Sequence, residues 1–241
     1  MNKKQVSVIV PAYNEEETLA ELTERIVNSL AKNNIDGEMI IVDDGSKDKT
    51  GQVADALSHQ YSHVENIHHR RELGKSAAIR TGFKQSKGDV IVTMDADLQY
   101  LPEEIPRLLQ LIDEGYDLAN GWRQRRQDPK TRIVASKCYN WLIRRLYHID
   151  VYDNNSGFKA LRRETLECIA PMIRKEMHRY IIPLAHHYGY RVVETPITHN
   201  PRRGGKSKYD SIRRLVTGPI DIITLKLILI FAEKPALLFG L

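Results

Sequence analysis

Val90-Ile91-Val92-Thr93-Met94-Asp95-Ala96-Asp97-Leu98-Gln99 is a short apolar, mostly β-branched run that ends abruptly in two carboxylates spaced two apart. Such a run reads as a strand buried on both faces, and charge directly after it lies where the chain leaves the core. The same pattern occurs twice upstream. Val6-Ser7-Val8-Ile9-Val10 leads into Pro11-Ala12-Tyr13-Asn14-Glu15, and Met39-Ile40-Ile41-Val42 leads into Asp43-Asp44-Gly45-Ser46. Further strands are predicted at 64–67, 117–121, 157–161 and 190–194. Helical patterns fall between them. One is predicted to open at Asn14, which would cap it, with Glu15, Glu16 and Glu17 favoured by the helix dipole and Leu19, Leu22, Ile26 and Leu30 forming an apolar stripe. Others are predicted at 50–60, 74–85, from Pro102 onward, 133–147 and 163–169.

Alternation of this kind specifies an α/β fold, a mostly parallel sheet joined by right-handed crossovers and flanked by helices. Ligands of such sheets bind beyond the carboxyl ends of the strands, which is where the acidic residues lie. Carboxylates two apart at a strand end are placed to share one hard cation, Mg²⁺ or Mn²⁺, which takes a few carboxylates plus substrate phosphate oxygens. The alternative role for Asp95 and Asp97 is to cap the following helix.

The chain has 241 residues, 41% of them hydrophobic, enough for one large domain or a domain with an appendage. Lys and Arg total 36 against 31 Asp and Glu, a net charge of +5. That excess suits phosphate-bearing partners without choosing among them. The two cysteines, Cys138 and Cys168, form neither a disulfide framework nor a Cys-x-x-Cys motif, which points to a reducing compartment. His59 and His63 have the spacing of a zinc pair but no third ligand or accompanying Glu. His178 opens a predicted helix, either as a structural residue or near the substrate.

Taken together, Val8-Ile9-Val10-Pro11-Ala12-Tyr13-Asn14-Glu15, Val42-Asp43-Asp44-Gly45-Ser46 and Asp95-Ala96-Asp97-Leu98-Gln99 resemble the family 2 glycosyltransferases of the GT-A (Rossmann-like) fold. Within that family they resemble the dolichyl-phosphate mannosyltransferase and polyprenyl-phosphate glycosyltransferase branch, over residues 5–210. The resemblance implies that Pro11, Tyr13, Glu15, Val42 and Asp44 line the nucleotide pocket, Asp44 accepting from the base and Glu15 from base or ribose. It implies that Asp95, Ala96 and Asp97 meet ribose, diphosphate and metal, and that Gln99 completes the metal shell. Arg123 matches a family arginine near the diphosphate or sugar. Arg202 and Lys208 match a late basic loop that closes over the donor phosphates, a role that suits cations on a glycine-rich backbone. Asp153, Ser156, Lys159 and Arg162 are candidates for contact with the acceptor.

The implied reaction is an inverting, single-step transfer of one sugar from a GDP- or UDP-linked donor to a polyprenyl or dolichyl phosphate. No Gln-x-x-Arg-Trp motif is present, which favours single-sugar transfer over polymerisation. A saccharide or protein acceptor is the alternative within the family. A pyrophosphorylase would want a Gly-rich loop after the first strand, where Pro11-Ala12-Tyr13-Asn14 stands. A non-enzymatic nucleotide-binding or RNA-binding module leaves the acidic strand ends unexplained, since they repel nucleic acid phosphates unless a metal intervenes.

Residues 1–210 are therefore read as the catalytic domain and 211–241 as an amphipathic, membrane-associated helical segment. In that segment Arg213 and Arg214 precede a pattern break at Gly218-Pro219, and an apolar stretch at 220–231 follows. Basic residues beside such a stretch suit a helix lying in the bilayer interface, on the cytoplasmic face. The alternatives are a helix packed on the core, an oligomer contact, or continuation into membrane spans. No stretch of the sequence reaches the roughly 20 uninterrupted apolar residues of a span.

Overall fold

The computed structural model describes residues 5–124, 130–173, 177–201 and 211–234. They fall into two compact units, Met1–Gln127 with Asp153–Gly205, and Asp128–Tyr152 with Lys206–Leu241. The boundary expected from the sequence, after residue 210, keeps 128–152 with the first unit, whereas in the structure these residues group with the second.

The first unit is a seven-stranded sheet between helices. Its strands are β1 (Val6–Ala12), β2 (Gly37–Asp43), β3 (Val64–His68), β4 (Val90–Thr93), β5 (Leu118–Arg123), β6 (Lys159–Arg162) and β7 (Val192–Ile197), in the order β3-β2-β1-β4-β6-β5-β7. β1 pairs in parallel with β2 on one side and β4 on the other, Val8 facing both Met39 and Val92. Parallel pairing brings the carboxyl ends of β1, β2 and β4 to one edge, so that Tyr13, Asp44 and Asp95 leave the sheet on the same side. β6 is the exception. It lies antiparallel between β4 and β5, with Thr93 opposite Lys159 at the acidic edge and Val90 opposite Arg162 at the far one.

Helices α1 (Leu19–Lys32), α2 (Thr50–Gln60), α3 (Lys75–Gln85), α4 (Ile105–Asp113), α6 (Arg163–Ile169) and α7 (Ile181–His187) complete this unit. The stripe predicted for α1 is buried as its spacing requires: Leu19, Leu22, Ile26 and Leu30 all turn inward, each contributing about 1.5–3 kcal/mol of transfer free energy. The helix opens at Leu19, however, not at Asn14. Asn14 sits at φ 51°, outside helical space, and is tied to the β2–α2 turn. Its N–H donates to Ser46 Oγ at 2.9 Å, and its side-chain oxygen accepts from the Lys47 N–H at 2.7 Å. These two bonds outcompete the cap that Asn14 would have made.

On one face of the sheet Val8, Val10, Met39, Ile41 and Val92 pack with α1 and α4. On the other, α3 comes close to β1 and β2. A Cβ on Gly82 would lie 2.6 Å from Ile9 Cγ2 and 3.2 Å from Val42 Cγ2, so the contact admits only glycine without repacking.

The second unit contains α5 (Lys130–Tyr147) and α8 (Ser211–Glu233), which pack on each other. Tyr147 Oη donates to the Ile222 carbonyl at 3.3 Å, and Lys226 Nζ lies 5.0 Å from the Tyr147 ring centre. Ile222, Leu225 and Leu229 are buried, whereas Ile220, Ile223, Leu227 and Ile228 are exposed, as is Trp141 of α5. The expected break at Gly218-Pro219 is absent, since α8 runs through it as one helix. Proline inside a helix costs about 3 kcal/mol, and burial of Ile222, Leu225 and Leu229 on the next turns offsets it. Among the described residues, no helix is long and apolar enough to cross a membrane.

Gly82→Ala is expected to lower stability by about 1–3 kcal/mol through overpacking against Ile9. In urea unfolding the midpoint should fall with the slope unchanged, and an unaltered midpoint would show that α3 is not held this tightly.

Candidate active site

Asp95, just beyond β4, is the centre of the site. It lies deep in the unit, yet its side chain keeps 30% of its surface accessible. Lys75, the first residue of α3, donates from Nζ to Asp95 Oδ1. Burial alone would raise the Asp95 carboxyl, but the charge and hydrogen bond of Lys75, with Arg123 and Lys159 beyond, outweigh it and hold the group below the usual carboxylate range. A Cβ on Gly157 would fall 2.3 Å from Asp95 Oδ2, so the 153–158 segment closes against the carboxylate as only glycine permits. The Gly157 N–H is fixed in turn by Tyr100 Oη at 2.9 Å. Tyr100 itself is buried between the rings of Phe158 and His199.

Asp97 is buried, and its Oδ1 accepts from the Gln99 N–H at 3.3 Å. Leu98 between them has φ 56°, rare for a bulky side chain, and such strain costs about 1–3 kcal/mol. This left-handed turn brings Asp97 and Gln99 round to the same loop. The Gln99 side chain donates to the Asn200 carbonyl at 3.2 Å, linking this loop to the segment after β7. Among the described residues, no group of three or more His, Cys, Asp or Glu side chains is placed to hold a metal ion. Two carboxylates and an amide oxygen on one short loop suit a hard cation whose shell is completed by substrate phosphate. Asp95, Asp97 and Gln99 fit that description.

Arg123, at the end of β5, is locked by a buried bidentate pair with Asp153: Nε to Oδ2 at 2.6 Å and Nη2 to Oδ1 at 2.8 Å. Asp153 is positioned by Glu194, which accepts its N–H at 2.9 Å and the Asn120 amide at 2.7 Å. Lys159 Nζ donates to the Ser156 carbonyl. Burial depresses this amine against the pull of Asp153, and the charges of Lys75 and Arg123 push it further, to about 7.

At the other end of the site, Asp44 accepts from the Gly74 N–H at 2.7 Å, the Leu73 N–H at 2.9 Å and His69 Nδ1 at 2.7 Å. Instead of standing open to a base, it anchors the loop that leads into α3, with room left on its oxygens for a further donor. Tyr13 is half-buried, and its hydroxyl is raised by a hydrogen bond to Glu72, then by burial and the Glu72 and Asp44 charges. Glu15 receives the Thr18 hydroxyl at 3.3 Å, and its N–H donates to Thr50 Oγ1 at 2.7 Å.

The structure thus gathers Asp95, Asp97, Gln99 and Arg123 at one place, with the Ala96 side chain buried in the core between the two carboxylates, and Pro11, Tyr13, Glu15 and Asp44 along the same sheet edge. Other expectations need correction. Val42 presents no accessible side chain: it is fully buried with Ile40 and Ala78, behind the pocket. Arg162 lies at the opposite end of β6, donating to the Tyr116 and Ile112 carbonyls and paired with Asp117, so it takes no part in the site. Asp153, Ser156 and Lys159 are 2–3% exposed and hold Arg123 and the Asp95 cradle from behind, so they do not offer an acceptor surface. Arg202 and Lys208 lie outside the described residues. His178 bonds to Ser76 Oγ through Nδ1 at 2.9 Å, a structural link beside Lys75.

Tyr100, Gly157, Glu194 and Lys75 are functional neighbours that the three sequence motifs do not include. A glycine just before a strand is a signal of close backbone approach and marks Gly157. The partners of Glu194 lie 41 and 74 positions away, and nothing local announces them.

The depressed Lys159 amine makes a signed prediction. Between about pH 7 and its unfolded value of 10.5 the unfolded chain binds the extra proton, so stability should rise with pH across that window. Below it the penalty for the buried charge is fully present. Urea unfolding at pH 6–10 should show this rise in the wild type and lose it in Lys159→Met, and equal slopes would contradict the assignment.

Comparison with known proteins places this geometry. The model of the family described as Glycosyl transferase family 2 matches residues 7–170. The undecaprenyl-phosphate 4-deoxy-4-formamido-L-arabinose transferase of Klebsiella pneumoniae (strain 342) is 39% identical over 248 aligned positions, covering 99% of this chain and 75% of that protein. Among solved structures, glucosyl-3-phosphoglycerate synthase from Mycobacterium tuberculosis, in complex with Mn²⁺ and UDP-glucose, superposes with a TM-score of 0.67 at 21% identity, over 92% of this chain and 79% of that one. Mannosyl-3-phosphoglycerate synthase from Rubrobacter xylanophilus gives a TM-score of 0.70 at 16% identity, over 93% and 74%. These neighbours share the GT-A fold that the motifs implied. With its acidic strand ends, its cationic surround and a family match spanning most of the sheet, the chain belongs to glycosyltransferase family 2.

Proposed function

We propose that this enzyme transfers one sugar from a GDP- or UDP-linked donor to a polyprenyl phosphate at a membrane surface, with inversion, using Mg²⁺ or Mn²⁺. The observation that carries the reading is the charge arrangement at the end of β4: Asp95 paired with Lys75, Asp97 two residues on, and the Arg123–Asp153 pair close enough to act on Asp95. Carboxylates and cations side by side suit a metal-bound diphosphate better than either alone. Asp95, Asp97 and Gln99 would hold the cation, which as a Lewis acid supplies charge neutralisation of the departing diphosphate. Arg123, preset by Asp153, presents a guanidinium to the same group without reorganising. Pro11, Tyr13, Glu15 and Asp44 would line the base and ribose end, and Arg202 and Lys208 would close over the phosphates.

The acceptor reading draws on the relative that acts on undecaprenyl phosphate. It also agrees with the chemistry of the site. Asp153 commits both carboxylate oxygens to Arg123 and Asp95 is paired with Lys75. A saccharide hydroxyl would need a carboxylate to take its proton, whereas a phosphate oxygen is already anionic. For the membrane surface, the support is the apolar exposure of Ile220, Ile223, Leu227 and Ile228 on α8 and of Trp141 on α5. Exposed apolar rows of this size beside basic residues suit the headgroup boundary of the cytoplasmic leaflet, with residues 1–210 as catalytic domain and 211–241 as the membrane-associated segment.

The test is a panel of labelled UDP- and GDP-sugars offered with polyprenyl phosphate in vesicles, with Mn²⁺, Mg²⁺ or chelator. One donor should deliver label to the lipid phase, and Asp97→Asn should reduce transfer to background. Transfer undiminished by chelator, or label passing only to saccharide acceptors, would overturn the reading.

A further inference from the structure

We propose that Lys75 is a built-in surrogate cation: without donor it occupies Asp95, and it gives way only when a divalent cation and a nucleoside diphosphate arrive together. The inference rests on the metal role read for Asp95 and Asp97. Lys75 begins α3, and its backbone is anchored, since the preceding Leu73 and Gly74 N–H groups both donate to Asp44. Only its four-carbon side chain crosses to Asp95 Oδ1, so it can withdraw without moving the helix. On the other side of the carboxylate, the Gly157 backbone is too close to admit even a Cβ. The ammonium therefore sits on the open approach to Asp95, the route a metal would use.

Charge balance decides what can displace it. Arg123 is already paired with Asp153, so before anything binds the charge of Asp95 is answered by Lys75. A bare dication would enter a balanced site and face an ammonium a few ångströms away, a repulsion that is large in a partly buried setting. A dication carried with a diphosphate brings net negative charge and supplies oxygens to which Lys75 can turn. Asp44 fastens the same loop at the base end, so base recognition and release of Asp95 are mechanically joined through Gly74 and Lys75.

Mn²⁺ binding, followed through the loss of the free-ion electron paramagnetic resonance signal, tests this without turnover. Wild type, Lys75→Met, Lys75→Gln and Lys75→Arg are titrated with Mn²⁺ alone and with saturating UDP or GDP, their folding checked by urea midpoint. For Mn²⁺ alone, the two neutral variants should bind at least about tenfold more tightly than wild type, while Lys75→Arg stays near it. With the matching nucleotide, wild type should bind Mn²⁺ tightly and the neutral variants should lose that advantage. Neutral variants that bind bare Mn²⁺ no better than wild type would overturn the proposal while leaving the metal site standing. Absence of Mn²⁺ binding under every condition, with Asp97→Asn no different from wild type, would remove the metal reading and this proposal with it.

Discussion

Carboxylates at the end of a buried strand are costly unless cations share the space, and the site is organised around that constraint. Asp95 leaves β4 with protein on most sides, and three basic side chains from three different elements converge on its neighbourhood. Lys75 comes from the start of α3, Arg123 from the end of β5 and Lys159 from the start of β6. The antiparallel insertion of β6 is what makes the last of these possible, because it puts Lys159 opposite Thr93 at the acidic edge. A parallel strand in that slot would have sent its first residue to the other end of the sheet.

The cations are themselves held by a second layer. Asp153 locks Arg123, Glu194 locks Asp153, and Asn120 braces Glu194. Such a chain of buried, mutually bonded polar groups fixes the Arg123 guanidinium in one orientation. The neighbouring loop uses strain for the same end: the left-handed Leu98 turns the chain between Asp97 and Gln99, as Asn14 does between Tyr13 and Glu15. Two of the three motif loops thus carry a non-glycine residue in a left-handed conformation.

Two of the sequence expectations went astray for a common reason. Asn14 looked like a helix cap and Arg162 like a partner for acceptor phosphate because each was judged from its sequence neighbours. Asn14 is bound instead by a turn 32 residues away, and Arg162 by the carbonyls of Tyr116 and Ile112. Side chains with several donors or acceptors go to whichever backbone groups the fold leaves unsatisfied, and those are set by distant pairing. Gly218-Pro219 misled differently. Local propensity argued for a break, and packing of the following turns kept α8 intact.

What the sequence determined by itself is the alternation of strands and helices, the apolar stripe of α1 and the three motif loops at strand ends. These depend on periodicity and on residues within a few positions of one another, and such information is local. The placement of Asp95, Asp97, Gln99, Tyr13 and Asp44 just beyond strand ends was legible for that reason. Tertiary structure alone decided the strand order, the reversal of β6 and the identity of the groups that balance Asp95. Lys75 reaches that carboxylate across 20 positions and Asp153 reaches Arg123 across 30. A charge shows in the sequence, but which opposite charge it meets depends on how the strands are ordered in space.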